Sequence, residues 1–179
     1  MHARPAGLGD LDPKQLSPFQ RALLTIDGTV TQFIEAYALE PVLIRVLDQV
    51  TGPAGDAARW LDCDSRTEVL HRRSSLVGAD TAELYAYAES VLVPARLSAD
   101  MQAALHLDSG GLGKILLNAS LESRREGLWF GAQVLHDLPP ALGAGEAMRC
   151  LTRTYRVIAG GRPLMLITEH FPTGQKPRS

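Results

Sequence analysis

The chain has 179 residues, enough for one domain with a substantial core, and 45% of them are hydrophobic, as is usual for a globular protein. Its 18 basic and 20 acidic residues give a formal net charge of -2, which argues against a nucleic-acid-binding surface because such surfaces carry a basic excess. No run of about 18 apolar residues occurs, and the first residues lack the apolar stretch of a signal peptide, so we expect a cytoplasmic protein without a membrane span.

The two cysteines, Cys63 and Cys150, are far apart in sequence and form neither a CxxC pair nor a zinc-ligand spacing with histidine. We therefore expect two reduced thiols, which fits a reducing compartment. No other spacing of Cys, His, Asp or Glu suggests a metal site, and we expect none.

The first predicted elements are helical and follow an arm, residues 1–12, which is rich in Gly, Pro and Ala and is expected to be flexible. A helical pattern starts at Pro13, with apolar residues along one face. After a turn, Thr29 is placed to cap a second helix, which runs through Tyr37 and which Pro41 ends.

Six β-rich segments follow, and a helix over residues 98–107, capped by Ser98, separates the first three from the last three. Gly160-Gly161 between the last two segments is a strong hairpin signal. Hairpin-like pairs with helices clustered elsewhere predict an α+β domain over residues 13–172, built on a single antiparallel sheet, with a tail over 173–179. The predicted strands cover residues 42–50, 67–77, 82–93, 120–134, 148–158 and 162–171.

Glu169 and Arg72 are the first candidates for chemistry. Glu169 ends an apolar run that is typical of a strand covered on both faces, so its carboxylate points into the interior or, alternatively, reaches solvent at the strand end. Arg72 is in phase with Leu70 and Leu76 on a core-like face, and arginine suits bidentate binding of a carboxylate. Because Arg73 must face the other way, the sequence alone leaves open which arginine is inside.

Three further features are weaker candidates. The glycine-rich segment 110–113 could aim backbone N–H groups at an anion, although it lacks the pattern of a nucleotide-binding loop and a plain loop is the alternative. His71 and His170 each neighbour a candidate residue on a strand, so we expect both to face away from the site. We interpret the charged stretch 124–126 as a solvated strand edge.

Four blocks of the sequence together resemble the chorismate pyruvate-lyase family, including the mycobacterial-type 4-hydroxybenzoate synthases. The most specific block is YRVIAGGRPLMLITEHFP, residues 155–172, which is similar to the family's C-terminal hairpin ending in T-E-x-F. The resemblance spans most of residues 15–172 in consistent order. The other blocks are IDGTVTQFIEA at 26–36, VLHRRSSLVG at 69–78 with AYAESVLVP at 86–94, and GGLGKIL at 110–116.

The resemblance implies roles at four positions. The family's carboxylate-binding arginine falls on Arg72 and its C-terminal glutamate falls on Glu169. The leucine whose backbone N–H contacts the ligand falls on Leu112. A hydrophobic position between two Ser/Thr residues, often Met or Leu in the family, falls on Val30, and this replacement shrinks the pocket wall.

The implied fold holds the ligand in an internal cavity beneath helix-turn-helix flaps, which residues 28–38 and 97–117 would supply. The implied reaction is loss of the enolpyruvyl group of chorismate as pyruvate, with aromatisation to 4-hydroxybenzoate. Arg72 and the Leu112 amide would hold the ring carboxylate and Glu169 would act as general acid or base, without metal or organic cofactor. We expect a monomer or homodimer whose ligand is a small aromatic or cyclohexadiene carboxylate.

Two other hypotheses stay open. A lyase-like enzyme of a specialised biosynthetic pathway could act on another carboxylate, or perform a cyclisation, which the change at Val30 motivates. The second hypothesis is a non-catalytic module that binds small acids. It stays open because the effector domains of one large transcription-factor family share this fold. Those domains normally follow a basic winged-helix segment, whereas only about 15 loose residues precede the first predicted helix, so we favour the enzyme.

Overall fold

A six-stranded antiparallel sheet forms the body of the protein, with strand order β1-β2-β3-β6-β5-β4, and it confirms the predicted single antiparallel sheet. The computed structural model describes residues 4–5, 7–107, 122–136, 138–142 and 147–173. The predicted strands are all present, with ends that differ by a few residues. Their bounds are β1 Val42–Pro53, β2 Glu68–Gly78, β3 Leu84–Leu92, β4 Ser123–His136, β5 Ala147–Ala159 and β6 Arg162–Pro172.

The helices are short. They are α1 Pro18–Thr25, α2 Val30–Ala38, α3 Ala58–Leu61 and α4 Ala99–Leu107. The predicted helix from Pro13 is wrong in its start, because Pro13–Gln15 forms a separate 3-10 turn and α1 begins only after Ser17. The Ser17 hydroxyl accepts from the Gln20 backbone N–H, and the Gln20 side chain accepts from the Ser17 N–H, which makes a capping box that starts the helix there.

Two further helix starts were predicted from capping residues. Thr29 occupies the N-cap position of α2 as predicted, but its side chain makes no capping hydrogen bond. The Ser98 hydroxyl accepts from the Met101 backbone N–H at 3.3 Å, as the predicted cap of α4 requires. No helix in the described part of the chain is long and apolar enough to cross a lipid bilayer.

The helices cover the sheet unequally. We call the face that carries Arg72 the inner face; α1, α2 and α4 pack on it, and α3 packs on the opposite, outer face through Leu61, Val69 and Leu166. Both faces of the central strands are therefore covered, as the continuous apolar run of β6 predicted. The buried hydrophobic residues that pack at the inner face include Leu23, Leu24, Val30, Ile34, Val42, Leu70, Leu76, Ala86, Leu92, Leu97, Met101, Leu151, Tyr155, Val157, Met165 and Phe171.

The β5–β6 hairpin turns at Gly160 and Gly161, whose φ values of +56° and +75° lie in the left-handed region that glycine adopts without strain. This confirms the predicted hairpin. Between Val157 and Ile158 the register shifts by one residue. Each residue of β5 from Val157 back toward the strand start therefore pairs with a β6 residue one position further from the turn than an unbulged hairpin would give. The shift determines which side chains of β5 lie beside β6 on the inner face.

The described part of the N-terminal arm contacts the sheet edge. Gly9 forms an antiparallel bridge with Ala132 of β4, and the Arg4 side chain donates to the carbonyl oxygens of Gly9 and Phe130. Sequence analysis did not anticipate this contact. The two cysteines are free, as predicted, and burial raises the pKa of the Cys150 thiol to about 12.

Glu40 joins α2 to the turn between β2 and β3. Its carboxylate accepts from the Tyr85 hydroxyl at 2.5 Å, the Thr81 hydroxyl at 2.7 Å, and the backbone N–H groups of Asp80 and Thr81. The Tyr85 hydrogen bond is the main reason that the pKa of Glu40 falls to about 2. A Cβ on Gly78 would lie 2.5 Å from Glu40 Oε1, so only glycine leaves room for this carboxylate.

We predict that Glu40→Gln lowers the melting temperature at pH 7 by a few degrees, because an amide cannot accept all four hydrogen bonds. The pKa of Glu40 in the folded state lies below its ordinary value of 4.5, so its contribution to stability is present above about pH 4.5 and is lost as the pH falls toward 2. The difference between variant and wild type should therefore shrink over that range. Thermal unfolding from pH 2 to 7 measures it, with the exposed Glu68→Gln as control; a pH-independent difference would contradict the role of the ionised carboxylate.

Candidate active site

The structure places Arg72, not Arg73, in the interior. Arg72 is only 3% exposed and points to the inner face, in phase with Leu70 and Leu76 as the sequence indicated. Arg73 is exposed on the outer face and pairs with Asp48 at 2.7 Å. The question that the sequence left open is thus decided by the phase of β2.

Glu169 also points to the inner face, on β6, and is 5% exposed. It shares that face with Met165 and Ile167, so the alternative of a solvent-exposed strand end is wrong. Arg72 of β2 pairs with Ser90 of β3, and Ser90 pairs in turn with Ile167 of β6. Glu169 lies two residues beyond Ile167 on β6. Two strand spacings and this offset put the Cα atoms of Arg72 and Glu169 about 12 Å apart, with both side chains directed into the space between them.

A third buried side chain, Arg153 on β5, holds Glu169. Its Nε atom donates to Glu169 Oε2 at 2.6 Å, and the ion pair is almost fully buried, with Arg153 5% exposed. The Tyr155 hydroxyl donates to Glu169 Oε1 at 3.1 Å, so each carboxylate oxygen has a donor. This satisfies the condition that a buried carboxylate be paired and hydrogen-bonded.

Sequence analysis missed Arg153, and the reason is the bulge in the hairpin. In a hairpin without a bulge, the turn at Gly160-Gly161 would pair Arg153 with Thr168, whose side chain faces the opposite side of the sheet from Glu169. The register shift moves Arg153 directly opposite Glu169. The arginine at this position was visible in the sequence, but no sequence signal marked the bulge.

A cavity of about 90 Å³ lies on the inner face beneath the start of α2. Val30 and its flanking residues Thr29 and Thr31 form its roof, which brings the predicted wall residue Val30 to the same space as Arg72 and Glu169. The floor comes from the central strands. Its lining side chains are Arg72, Ser74 and Leu76 from β2, Ala88 and Ser90 from β3, Tyr155 and Val157 from β5, and Met165, Ile167 and Glu169 from β6.

Arg125 on the edge strand β4 also lines this cavity, so the interpretation of 124–126 as a solvated edge is wrong for this residue. Arg125 Nη1 donates to the Asp27 carbonyl oxygen at 2.7 Å, and its guanidinium lies 5.9 Å from the Tyr155 ring centre. Arg124, by contrast, has a side chain that is 68% exposed. Adjacent residues of a strand face opposite ways, and this alternation was the signal that could have separated the two arginines.

Two other candidates lie elsewhere. Leu112, with the whole segment 110–113, falls outside the described residues, so its predicted amide contact stays a prediction. His71 and His170 point to the outer face, as predicted; His170 Nδ1 lies 2.9 Å from the Thr152 hydroxyl and its ring stacks on Tyr87. Among the described residues, no group of three Cys, His, Asp or Glu side chains is arranged to bind a metal.

The cavity combines a buried cation with a buried carboxylate. Arg72 presents a guanidinium to the cavity, and Glu169 presents a carboxylate whose position is fixed by Arg153 and Tyr155. Burial and the neighbouring Glu169 charge raise the pKa of the Tyr155 hydroxyl, which therefore stays a hydrogen-bond donor at neutral pH. A guanidinium in an apolar cavity is chemically suited to a carboxylate ligand, and a fixed carboxylate beside it is suited to accept a proton.

Comparisons with known proteins identify related sequences. Residues 24–176 match the family described as "Chorismate pyruvate-lyase Rv2949c-like". A chorismate pyruvate-lyase from Mycobacterium tuberculosis is 29% identical over 173 residues, which cover 92% of this chain and 84% of that protein. A chorismate pyruvate-lyase from Mycobacterium leprae is 27% identical over 157 residues, which cover 84% of this chain and 72% of that protein.

Solved structures share the fold at lower identity. The effector domain of PhnF from Mycobacterium smegmatis superimposes with a TM-score of 0.65 over 83% of this chain and 90% of that domain, at 12% sequence identity. The likeness shows the fold alone, which is the chorismate lyase-like fold also found in effector domains of GntR-family regulators.

We predict that Arg153→Ala lowers the free energy of unfolding by about 3 kcal/mol, because it leaves the Glu169 carboxylate buried without its partner. Urea denaturation measures the change. The double variant Arg153→Met, Glu169→Leu, which removes both charges and fills the space, should recover most of the loss.

The matched control is Arg73→Ala, which breaks the partly exposed pair with Asp48 and should cost no more than about 1 kcal/mol. Equal losses in Arg153→Ala and Arg73→Ala would contradict a special role for the buried pair.

Proposed function

The chain belongs to the Rv2949c-like chorismate pyruvate-lyase family, and from this membership we propose that it converts chorismate into 4-hydroxybenzoate and pyruvate. The observation that carries the proposal is that two buried side chains from different strands, Arg72 and Glu169, line the same cavity. By the sequence resemblance, Arg72 corresponds to the family's carboxylate-binding arginine and Glu169 corresponds to its C-terminal glutamate.

The proposed reaction is an elimination that needs no oxidant or reductant. The ether bond between the ring and the enolpyruvyl group breaks, and the ring carbon that carries the hydroxyl group loses its proton. The enolpyruvate takes up a proton and becomes pyruvate, while the ring becomes aromatic. Because aromatisation supplies much of the driving force, positioning and polarisation of the substrate suffice for the protein's part.

Arg72 binds the ring carboxylate in this proposal, since a buried guanidinium offers the paired donors that a carboxylate accepts. Glu169 receives the ring proton. Its two oxygens accept hydrogen bonds from Arg153 and Tyr155, and a carboxylate held in this way is oriented as a proton acceptor at the cavity wall. The amide of Leu112 remains a predicted second contact to the ring carboxylate.

One observation favours a related substrate as the second candidate. Val30 lines the cavity roof between Thr29 and Thr31, at a position where the family often carries the larger Met or Leu. A smaller roof residue changes the shape of the ligand that packs against it. A different cyclic carboxylate, or release of the 3-hydroxy isomer, would follow from such a change.

We predict that the purified protein releases pyruvate and 4-hydroxybenzoate from chorismate in equal amounts. Mass spectrometry of the products, with pyruvate quantified separately, checks this outcome and identifies the isomer. Absence of both products would end the chorismate assignment, and a different aromatic product would favour the second candidate.

We predict different kinetic effects for the two site residues. Arg72→Ala should weaken 4-hydroxybenzoate binding by about ten- to a hundredfold, because a charge-assisted hydrogen bond is lost. Glu169→Gln should lower kcat by about 10²- to 10⁴-fold with a smaller effect on binding, as expected for loss of a general base. Arg73→Ala, on the outer face, is the control and should leave both constants unchanged; unchanged kinetics in the two site variants would refute the proposed roles.

A further inference from the structure

A second, larger space adjoins the cavity. This side chamber of about 700 Å³ lies between residues 24–27 and residues 127–130 of β4, and Arg125 and Tyr155 line both the chamber and the cavity. The cavity beneath Val30, at about 90 Å³, is small for the whole of chorismate, whereas the volume of the chamber falls in the usual range for ligand sites. A ligand that reaches from the cavity past Tyr155 would enter the chamber.

Two guanidinium groups that line the chamber, those of Arg125 and Arg153, each have an N–H donor without a described hydrogen-bond partner. Arg125 Nε and Arg153 Nη2 are buried and have no hydrogen-bond partner among the residues that the structure describes. Their Nη1 atoms are occupied by the backbone, since Arg125 donates to the Asp27 carbonyl oxygen and Arg153 donates to the Ile26 carbonyl oxygen. Buried polar atoms without partners are rare in proteins, and at a pocket wall they indicate where a ligand binds.

The charges around the chamber leave Arg125 uncompensated. Arg4 pairs with Asp10, and Arg153 pairs with Glu169. Asp27 also lines the chamber, but it contacts Arg125 through its backbone carbonyl. Within the described part of the chain, Arg125 has no carboxylate within ion-pair distance, so an anion in the chamber would supply the missing charge.

We propose that Arg125 and Arg153 form a second carboxylate subsite, which binds the carboxylate of the enolpyruvyl group while Arg72 binds the ring carboxylate. This inference rests on the proposed function, because chorismate carries two carboxylates and 4-hydroxybenzoate carries only one. The ring would lie in the cavity beneath Val30, and the enolpyruvyl group would extend past Tyr155 into the chamber.

The arrangement places the two halves of the reaction on either side of Tyr155. Glu169 lies on the cavity side, where the ring proton is lost, and the two guanidinium groups lie on the side where enolpyruvate departs. Their positive charge stabilises the negative charge that develops on the leaving group as its bond to the ring breaks. Pyruvate then leaves through the chamber, and the aromatic product stays behind in the cavity.

The test uses pyruvate and 4-hydroxybenzoate as separate probes of the two subsites. Arg125→Gln should raise the KM for chorismate and the inhibition constant of pyruvate by about ten- to a hundredfold, as expected for loss of a hydrogen bond between charged groups. Its effect on the Kd of 4-hydroxybenzoate should be much smaller, because Arg125 borders the cavity but does not bind the ring carboxylate in this proposal. The matched control is Arg124→Gln on the same strand, whose exposed side chain faces away and which should change none of the three constants.

The outcomes decide the proposal. Equal effects of Arg125→Gln on pyruvate and 4-hydroxybenzoate, no effect on either, or no measurable inhibition of the wild type by pyruvate would each overturn it. Melting temperatures identify a variant that is merely unstable, and in that case Arg125→Lys, which keeps the charge but loses the fork of donors, should show a smaller loss of the same kind.

Failure of the proposed function is separable from failure of the subsite. If the wild type releases neither product from chorismate, the lyase proposal fails, and calorimetry with pyruvate alone then tests the subsite. Pyruvate binding that is weakened in Arg125→Gln and kept in Arg124→Gln supports the subsite, whereas equal binding by the two variants, or none by the wild type, overturns it.

Discussion

The buried ion pair between Arg153 and Glu169 is the interaction on which the inner face depends. A carboxylate in the middle of an apolar sheet face is costly unless a partner lies close by, and here the partner lies directly opposite on the neighbouring strand. The same guanidinium binds the Ile26 carbonyl oxygen, so it also joins the sheet to the segment before α2. That segment leads to Val30 and the roof of the cavity.

Arg125, on the edge strand β4, contacts the segment before α2 in the same way as Arg153. It binds the Asp27 carbonyl oxygen, one residue further along the same segment, and stacks near the Tyr155 ring. Two guanidinium groups thus hold the roof segment through backbone oxygens while keeping other donors directed at the interior. The residues that position the roof are therefore also the residues that make the interior attractive to anions.

The fold itself does not distinguish an enzyme from a regulator, since effector domains of GntR-family proteins share it at low sequence identity. What favours an enzyme here is the composition of the cavity. A binding module for acids needs the cation, but a buried carboxylate oriented by Arg153 and Tyr155 adds a proton acceptor. Family membership and this carboxylate together support a lyase, and the wall at Val30 is the place where substrate preference would differ.

The sequence by itself determined the α+β class, the six strands and the Gly160-Gly161 hairpin, but it left open whether Glu169 points into the interior or reaches solvent. These follow from local signals, namely β-rich runs, turn glycines and the two-residue alternation of a strand. It also favoured Arg72 over Arg73 as the inward-facing arginine, but only weakly, because the assignment rests on the two apolar neighbours Leu70 and Leu76.

Only the tertiary structure decided which side chains share the cavity. Arg153 lies opposite Glu169 because a bulge at Leu164 of β6, between the pairs Val157–Met165 and Ile158–Pro163, shifts the β5–β6 register by one residue. Nothing in the local sequence marks that bulge. Arg125 reaches the interior because β4 pairs with β5 at the sheet edge, which depends on contacts between residues far apart in the chain. A register shift of one residue exchanges the two faces of a strand, so the identity of a site's neighbours is set by pairing between strands and not by the pattern within any one of them.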